Sequence, residues 1–422
     1  MLKNLKNNIS EKKALKHNTI ALMVIQVLNY VLPFITMPYV ARIFDVEKFG
    51  LIFFAQVIMD YMYRFVMFGY DLSATREIAI NSNNHKSVTK IFNSVIFSQL
   101  IFLITSFIIL SLLILLIPNW RKDYLVYYLT NLSLLGSVLC VNWFYQGMAR
   151  MKFITILNII SRMVSVMLIF LLIKKPEDYI LYPLFNSLSM IFAGIISIIF
   201  VRNVFKIRMY LPKLQEIANS IKYSSQFFLT KVAIALYRST NAFVLGLVVT
   251  TTAVAYYVAA DKIFWAVFNL YNTFILALFP YMSKNKDIKL FKKLIKYLIL
   301  LTIGASIILL IASKYIILIF YSDKYLEAVR ILQIFSLSFG FVILTDTFGF
   351  PLLGAYGHVK ETNAGYIIGG IYNVIGLIIL YLSNCVNIYS VAILVSSTYL
   401  IMFLHRIYYI NKYKLFNNKG LI

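Results

Sequence analysis

Ionisable residues recur at helical spacing inside an apolar stretch of the sequence, FAQVIMDYMYRFVMFGYDLSATREIA (residues 54–79). Asp60 and Arg64 lie four residues apart, and Gln56 precedes them by four, so all three share one face of a helix. A charged side chain at the centre of a membrane helix costs at least about 2.5 kcal/mol, so such residues usually face a protein interior or an aqueous cavity. The pattern predicts a polar, ion-binding surface within a membrane protein.

Further charges lie in the other predicted spans: Arg162, Lys231, Arg238, Asp261, Lys262 and Asp346. Lys231, Arg238 and Asn241 again follow helical spacing, so each half of the chain has a polar stripe. With Asp60 and Arg64 included, five bases stand against three acids. The planar fork of arginine suits phosphate and carboxylate groups. The excess of bases therefore predicts a path for an anion.

The alternative for these charges is mutual neutralisation. Asp60 could pair with Arg64 one turn away, and Asp261 could pair with a base on a neighbouring helix. Lys231 could extend its ammonium group to the cytoplasmic surface. The sequence leaves both interpretations open.

The composition indicates an integral membrane protein, because 61% of the 422 residues are hydrophobic and only 13% are charged. The apolar runs last roughly twenty residues, which is the length of a membrane-spanning helix rather than of a barrel strand. We therefore predict an all-α, polytopic protein. Twelve spans are predicted, at residues 18–40, 50–69, 91–117, 125–146, 154–173, 180–201, 226–248, 254–279, 297–320, 328–350, 364–383 and 388–407.

The net charge of +24 reports topology rather than nucleic-acid binding. Most of the 40 Lys and Arg residues fall in the N-terminal tail and in the loops on the same side of the membrane. By the positive-inside rule, both termini are predicted to lie in the cytoplasm.

The longest cytoplasmic segment, residues 202–225, divides the chain into two six-helix halves, 1–201 and 226–422. This linker reads either as an interfacial helix broken at Pro212 or as a solvated connection. A shift of 205 residues aligns residues 44–58 with 249–263, pairing Gly50 with Ala255, which supports parallel repeats. Gly365 and Gly369 form a G-x-x-x-G face on which a second helix can pack closely.

Signals of enzymatic chemistry are absent. The sequence has no P-loop, its four histidines are scattered without metal-ligand spacing, and no outside loop gathers carboxylates. We predict no cofactor, no metal and no enzymatic activity, and transport driven by a gradient or by downhill movement.

Four motifs carry a family resemblance: YVARIFDVEKFGLIFFAQ (39–56), GYDLSATRE (69–77), WFYQGMARMKFITILNIISR (143–162) and YYVAADKIFWAVFNLYNTFILALFPYMSK (256–284). They resemble the polysaccharide transporter family, the O-antigen and repeat-unit flippases of the multidrug/oligosaccharidyl-lipid/polysaccharide exporter superfamily. The resemblance implies two six-helix bundles around a central cavity that opens alternately to the two sides of the bacterial cytoplasmic (inner) membrane. It also implies an undecaprenyl-pyrophosphate-linked oligosaccharide as substrate.

Residue roles follow as hypotheses from the stripes. The bases would attract the pyrophosphate and any acidic sugars: Arg64, Arg162, Lys231, Arg238 and Lys262. Asp60, Asp261 and Asp346 would orient those bases or exchange protons, and Arg76 with Glu77 would hold a cytoplasmic gate. A proton or sodium counter-ion, membrane lipids, and glycan polymerase or assembly proteins are the other predicted partners.

Three rival functions remain open. A drug/cation antiporter of the same superfamily would present a cavity dominated by acids. A membrane glycan polymerase or ligase would need a sizeable outside loop. A non-transporting scaffold of a glycan-assembly complex would tolerate loss of every intramembrane charge.

Overall fold

The structure is a computed structural model that describes residues 35–416, with the side chains of residues 229–238 and 276–277 outside that description. Residues 35–43 are helical (α1), and the further α-helices are α2 Val46–Met67, α3 Tyr70–Ile80, α4 His85–Leu116, α5 Pro118–Arg121, α6 Tyr124–Leu139, α7 Asn142–Gly147, α8 Met151–Leu172, α9 Leu181–Asn203, α10 Leu214–Arg238, α11 Thr240–Val248, α12 Thr251–Asn285, α13 Ile288–Phe320, α14 Glu327–Phe348, α15 Val359–Leu382 and α16 Ile388–Lys412.

Ten helical segments within residues 35–416 are long and apolar enough to cross a membrane. No strand occurs among these residues, so the predicted all-α, polytopic class is confirmed. The ten segments correspond to ten of the twelve predicted spans. The first predicted span, 18–40, lies mostly outside the described residues, and the seventh, 226–248, is divided between α10 and α11.

The chain forms two compact units. Unit 1 comprises residues 1–45 and 55–232, and unit 2 comprises residues 46–54 and 233–422. Each unit has its own buried apolar core, built in unit 1 around residues 66–207 and in unit 2 around residues 278–415.

The chain in unit 1 breaks sharply between α2 and α3. Phe68 and Gly69 both have left-handed backbone angles, with φ of 42° and 78°. The Phe68 amide donates to the Arg64 carbonyl at 3.0 Å and so closes α2. A Cβ atom at Gly69 would lie 2.8 Å from the backbone nitrogen of Phe228, so glycine is required both by conformation and by space.

Two of the sequence motifs contact each other in unit 1. Helix α3 carries DLSATRE and packs on α7, which carries WFYQG. The Thr75 hydroxyl donates to the Trp143 carbonyl at 3.1 Å. A Cβ atom at Gly147 would lie 2.6 Å from the Cβ of Ile78, so Gly147 permits this close approach.

The linker after α9 is folded onto unit 1 without forming a helix between residues 206 and 213. The amide of Asn93, fully buried on α4, donates to the Arg208 carbonyl and accepts from the Tyr210 amide, both at 3.0 Å. Phe205 packs against Phe144 with ring centroids 5.0 Å apart. The segment is therefore fixed by side chains of the bundle, and α10 begins just after Pro212.

Helices α14, α15 and α16 pack together in unit 2. A π-helical turn, Gly349–Gly354, extends α14 toward α15. The predicted G-x-x-x-G face does contact a second helix, because a Cβ atom at Gly369 would lie 2.5 Å from the sulfur of Met402 on α16.

Candidate functional site

The polar stripe on α2 belongs to unit 1 and comprises Gln56, Asp60 and Arg64. Asp60 is exposed, whereas Gln56 and Arg64 are partly buried. The Arg64 Nε atom is buried and has no hydrogen-bond partner among the described residues. Because a buried donor normally finds a partner, this N–H group is suited to an acceptor from a ligand.

Arg162 on α8 lies close to the same stripe. The Arg162 guanidinium lies near the hydroxyl group of Tyr182 on α9, and the Gln56 side chain is within reach of the same hydroxyl. The structure thus brings Arg162 close to the stripe on α2, which the sequence analysis treated separately. It also adds Tyr182 as a neighbour of both. Ser165, one turn along α8 from Arg162, donates to the Asn186 side chain at 2.8 Å, which extends the polar contact between α8 and α9.

The predicted gate residues are on α3. Arg76 is exposed, and its Nη1 atom donates to the Tyr223 hydroxyl on α10 at 3.2 Å. One turn earlier, the hydroxyl groups of Ser73 and Ser224 are 2.7 Å apart and buried. Glu77 is partly buried beside Arg76. These contacts join DLSATRE to α10 within unit 1, while a gating role for Arg76 and Glu77 stays a prediction.

Two other predicted bases, Lys231 and Arg238, are on α10. Their side chains lie outside the described residues. The part that they play in an anion path therefore stays a prediction.

Asp261 and Lys262 are on α12 in unit 2 and, as adjacent residues, do not share one helix face. Asp261 is partly buried and accepts a hydrogen bond from the indole nitrogen of Trp265 at 3.0 Å. Lys262 is exposed, and its Nζ atom lies 6.0 Å from the centroid of the Phe53 ring. Trp265 is therefore a positioning contact for Asp261 that the sequence reading missed.

Asp346 belongs to a partly buried cluster in unit 2 that joins three helices. The Tyr366 hydroxyl on α15 donates to Asp346 Oδ1 on α14 at 2.8 Å. The guanidinium of Arg406, on α16, lies 5.0 Å from the centroid of the Tyr366 ring. Arg406 is fully buried, and its Nη1 atom also donates to the Glu361 carbonyl at 3.0 Å. Asp346 is thus held by a tyrosine whose ring contacts a buried cation.

Arg406 is the charged residue that sequence reasoning missed. It falls at the edge of the last predicted span, where a base is ordinarily explained by the positive-inside rule. The available signal was the glycine at position 365, because a Cβ atom there would lie 2.7 Å from Arg406 Nη1. Glycine at 365 thus makes room for the guanidinium, while Gly369 makes room for Met402.

The described residues contain no group of three or more His, Cys, Asp and Glu side chains that could hold a metal ion. Within each unit taken by itself, the candidate residues make polar and cationic contacts on apolar helices.

The fold is that of known transporters. A solved lipid II flippase MurJ in an inward closed conformation superposes with a TM-score of 0.72, covering 95% of this chain and 89% of that one at 17% identity. An inward-facing multidrug resistance MATE family transporter of the MOP superfamily gives a TM-score of 0.68, covering 96% and 100% of the two chains at 10% identity.

Sequence relatives are also named as transporters. A "Putative O-antigen transporter" of Escherichia coli (strain K12) is 29% identical over 372 residues, which is 87% of this chain and 90% of that protein. A protein of the same name from Shigella dysenteriae is 28% identical over 285 residues, 68% of this chain and 72% of that protein.

Residues 15–286, well over half of the chain, match the family described as Polysaccharide biosynthesis protein. The resemblance seen in the motifs is confirmed, and the relatives are transporters or flippases rather than enzymes. This chain is a multi-pass membrane protein of the polysaccharide biosynthesis protein family.

Proposed function

We propose that this protein is a flippase that moves undecaprenyl-pyrophosphate-linked oligosaccharide repeat units from the cytoplasmic to the outer leaflet of the bacterial inner membrane. It would act by alternating access and serve the assembly of O-antigen, capsule or a related surface polysaccharide. Support comes from family membership, from relatives named as O-antigen transporters and from a fold shared with a lipid II flippase.

The observation that carries the proposal is the set of polar and cationic side chains on the apolar helices α2 and α8 of unit 1. Arg64 has a buried Nε donor, and Arg162 lies near the Tyr182 hydroxyl. A glycan headgroup cannot cross hydrocarbon unless protein groups replace its water hydrogen bonds. A pyrophosphate additionally needs cationic N–H donors, which arginine supplies in a fixed fork.

We assign the bases to the anionic part of the substrate: Arg64, Arg162, Lys231, Arg238 and Lys262. Asp60, Asp261 and Asp346 orient neighbouring groups or exchange protons. Asp346 has support for an orienting role, since it accepts a hydrogen bond from Tyr366. Arg76 and Glu77 are assigned to the gate, and the Arg76 contact with Tyr223 would break or form as that gate moves.

Energetics bear on the counter-ion. With the cell interior negative, outward movement of an anion is favoured by about 2.3 kcal/mol per charge per 100 mV. A proton or sodium ion moving inward would then serve to reset the empty carrier. Flipping that continues unchanged after both gradients are dissipated in proteoliposomes would remove the counter-ion from this scheme.

The test is a leaflet assay for lipid-linked oligosaccharide. Deleting the gene should trap a mass-identified precursor on the cytoplasmic leaflet, and the wild-type gene should release it. Arg64→Gln should leave protein abundance normal and reduce flipping at least tenfold, because a donor to the pyrophosphate is lost. Lys289→Gln, an exposed base on α13, is the matched control and should flip normally.

Three outcomes would contradict the proposal. Normal flipping by Arg64→Gln at normal abundance would remove the cationic surface from the transport path. Full complementation by a variant that lacks all the intramembrane charges would favour the scaffold function. Resistance to cationic drugs, lost with the gene while precursor flipping is unaffected, would favour the antiporter.

A further inference from the structure

A cationic pocket lies at the junction between α9, the linker and the start of α4, away from the stripe on α2. It has a volume of about 900 Å³. Its lining includes His85, Arg202, Lys206 and Arg208, together with one amide side chain, Asn203. Among residues 35–416, none of those that line the pocket is acidic.

Part of the pocket wall is apolar. This part is formed by Ile198, Val201, Ile207 and Met209. Val201 and Ile207 are buried in the bundle, whereas Arg202, Lys206 and Arg208 are exposed. Cationic groups over an apolar wall match a ligand that carries a phosphate next to hydrocarbon.

The pocket is built by a fixed backbone rather than by a loose run of basic residues. The His85 ring contacts the Phe205 carbonyl at 3.1 Å, and the Ile207 amide donates to the Val201 carbonyl at 3.3 Å. Asn93 fixes the next turn through the Arg208 carbonyl. Lys206 has a left-handed backbone with φ of 56°, so the fold holds this residue in an uncommon conformation between two anchored neighbours.

The charge of the pocket is not cancelled by the nearby acid. Glu216, on the first turn of α10, is already paired with Lys90, with Nζ and Oε1 3.0 Å apart. The segment also exposes large apolar side chains: Val204 is 56% exposed, Leu211 76% and Leu214 83%. Apolar side chains this exposed, interleaved with bases, are typical of a segment that lies at a membrane surface.

We propose that this pocket binds the phosphate headgroup of an anionic membrane phospholipid, with the acyl chain against the apolar wall. A lipid-linked oligosaccharide would also bring a phosphoryl group and a hydrocarbon tail. Its sugars, however, need several amide, carboxylate or hydroxyl partners, and the lining supplies one amide. Bound lipid would hold the linker that joins the helices of the two predicted halves.

The experiment measures lipid binding by the full-length protein, purified in detergent, by native mass spectrometry. The probes are phosphatidylglycerol, phosphatidylcholine and undecaprenyl phosphate. Wild type should retain phosphatidylglycerol in preference to phosphatidylcholine. The double variant Arg202→Gln/Arg208→Gln should bind it about 30-fold more weakly, at about fivefold for each charge near an anionic lipid.

Two variants separate the pocket from general charge. Arg202→Lys/Arg208→Lys keeps both charges and should retain most of the binding. Lys289→Gln/Lys293→Gln removes two exposed bases from α13 and should bind like wild type. Equal weakening by this control pair would overturn the proposal, as would equal binding of phosphatidylcholine.

The two sources of phosphate are distinguished by the third probe. If the wild-type protein selects undecaprenyl phosphate over phosphatidylglycerol and the double variant loses that preference, the pocket belongs to the substrate path and the phospholipid assignment is wrong. The flipping assay with Arg64→Gln remains independent of this result, because Arg64 is not part of the pocket.

Discussion

The Nη1 atom of Arg406 occupies the space where a side chain at Gly365 would begin, only 2.7 Å from an ideal Cβ position there. The guanidinium is fully buried, so it has no solvent into which it can move. The absence of a side chain at position 365 is thus a condition for placing a cation against Tyr366 and the Asp346 cluster.

Gly365→Ala should therefore destabilise the protein. An added methyl group in a packed interior typically costs about 1–3 kcal/mol. Gly304→Ala is the control, because a Cβ atom at residue 304 on α13 would meet nothing within 4 Å. Thermal unfolding of the purified protein in detergent should show a loss for the first variant only, and equal behaviour of the two would contradict the close approach.

Tyr366→Phe should remove one hydrogen bond to the Asp346 carboxyl group. A hydrogen bond to a charged group contributes about 1.5–3 kcal/mol, so we expect reduced stability together with slower flipping. Tyr372→Phe on the same helix is the matched control, because its hydroxyl contacts only Ser397 among the hydrogen bonds described, at 3.2 Å. If Tyr366→Phe and Tyr372→Phe flip the substrate at the same rate, transport does not depend on the orientation of Asp346 by Tyr366.

Arg162 and Tyr182 should act as a coupled pair in transport. Arg162→Gln and Tyr182→Phe each remove one side of their electrostatic contact. In a double-mutant cycle on flipping rates, groups in contact typically show a coupling of about 0.5–3 kcal/mol. Pairing Arg162→Gln with Tyr372→Phe, which lies in unit 2, should give additive effects. If the effects of Arg162→Gln and Tyr182→Phe on the flipping rate are additive, Arg162 acts independently of Tyr182 and of the polar stripe on α2.

Asn93→Ala should release the linker. The substitution removes a donor to the Arg208 carbonyl and an acceptor for the Tyr210 amide, and losing the partner of a buried group costs about 1–3 kcal/mol. Trypsin should then cleave faster among the bases of residues 202–213. Asn158→Ala is the control, because Asn158 donates to the Ile154 carbonyl of its own helix. Unchanged cleavage would show that the other anchors, such as the Phe205 contact with Phe144, hold the segment without Asn93.

The pair of Lys90 and Glu216 predicts a small pH effect. The hydrogen bond from Lys90 lowers the pKa of Glu216 below its ordinary value of 4.5. A depressed carboxyl pKa contributes stability above the unfolded-state pKa, and this is lost as pH falls through the folded pKa. Unfolding of wild type and Lys90→Gln should differ at neutral pH and converge below about pH 4. A stability difference between the two proteins that grows as the pH falls would contradict the predicted direction of the pH effect.

The sequence allowed the helical class and several charged residues to be predicted, because apolar length and helical spacing are local properties. Asp346 was singled out in this way, and its role stays a prediction. Its partner Tyr366 and the neighbouring Arg406 were not singled out, since they come from two other helices and the contact depends on packing. The sequence indicated that Gly365 is a packing residue, but it did not indicate that the group packed there is the guanidinium of Arg406.

The linker shows the same contrast between local properties, which the sequence predicts, and tertiary packing, which it does not. Alternating basic and apolar residues left two interpretations open, an interfacial helix broken at Pro212 or a solvated connection, and the structure shows no helix through residues 206–213. The reason is tertiary: Asn93 takes up the Arg208 carbonyl and the Tyr210 amide, and Phe205 packs against Phe144. Similarly, the reason for glycine at position 147 is tertiary, because it admits Ile78 of α3.

The contact between α3 and α7 has a consequence for exchanging parts between relatives. The Thr75 hydroxyl bonds the Trp143 carbonyl, and Gly147 leaves no room for a methyl group beside Ile78. A chimera that imports DLSATRE from a donor protein must import its WFYQG segment as well, since each is shaped to the other. Splice points between residues 81 and 141 would take the DLSATRE and WFYQG segments from different proteins. The side chains at the contact between α3 and α7 would then no longer fit each other.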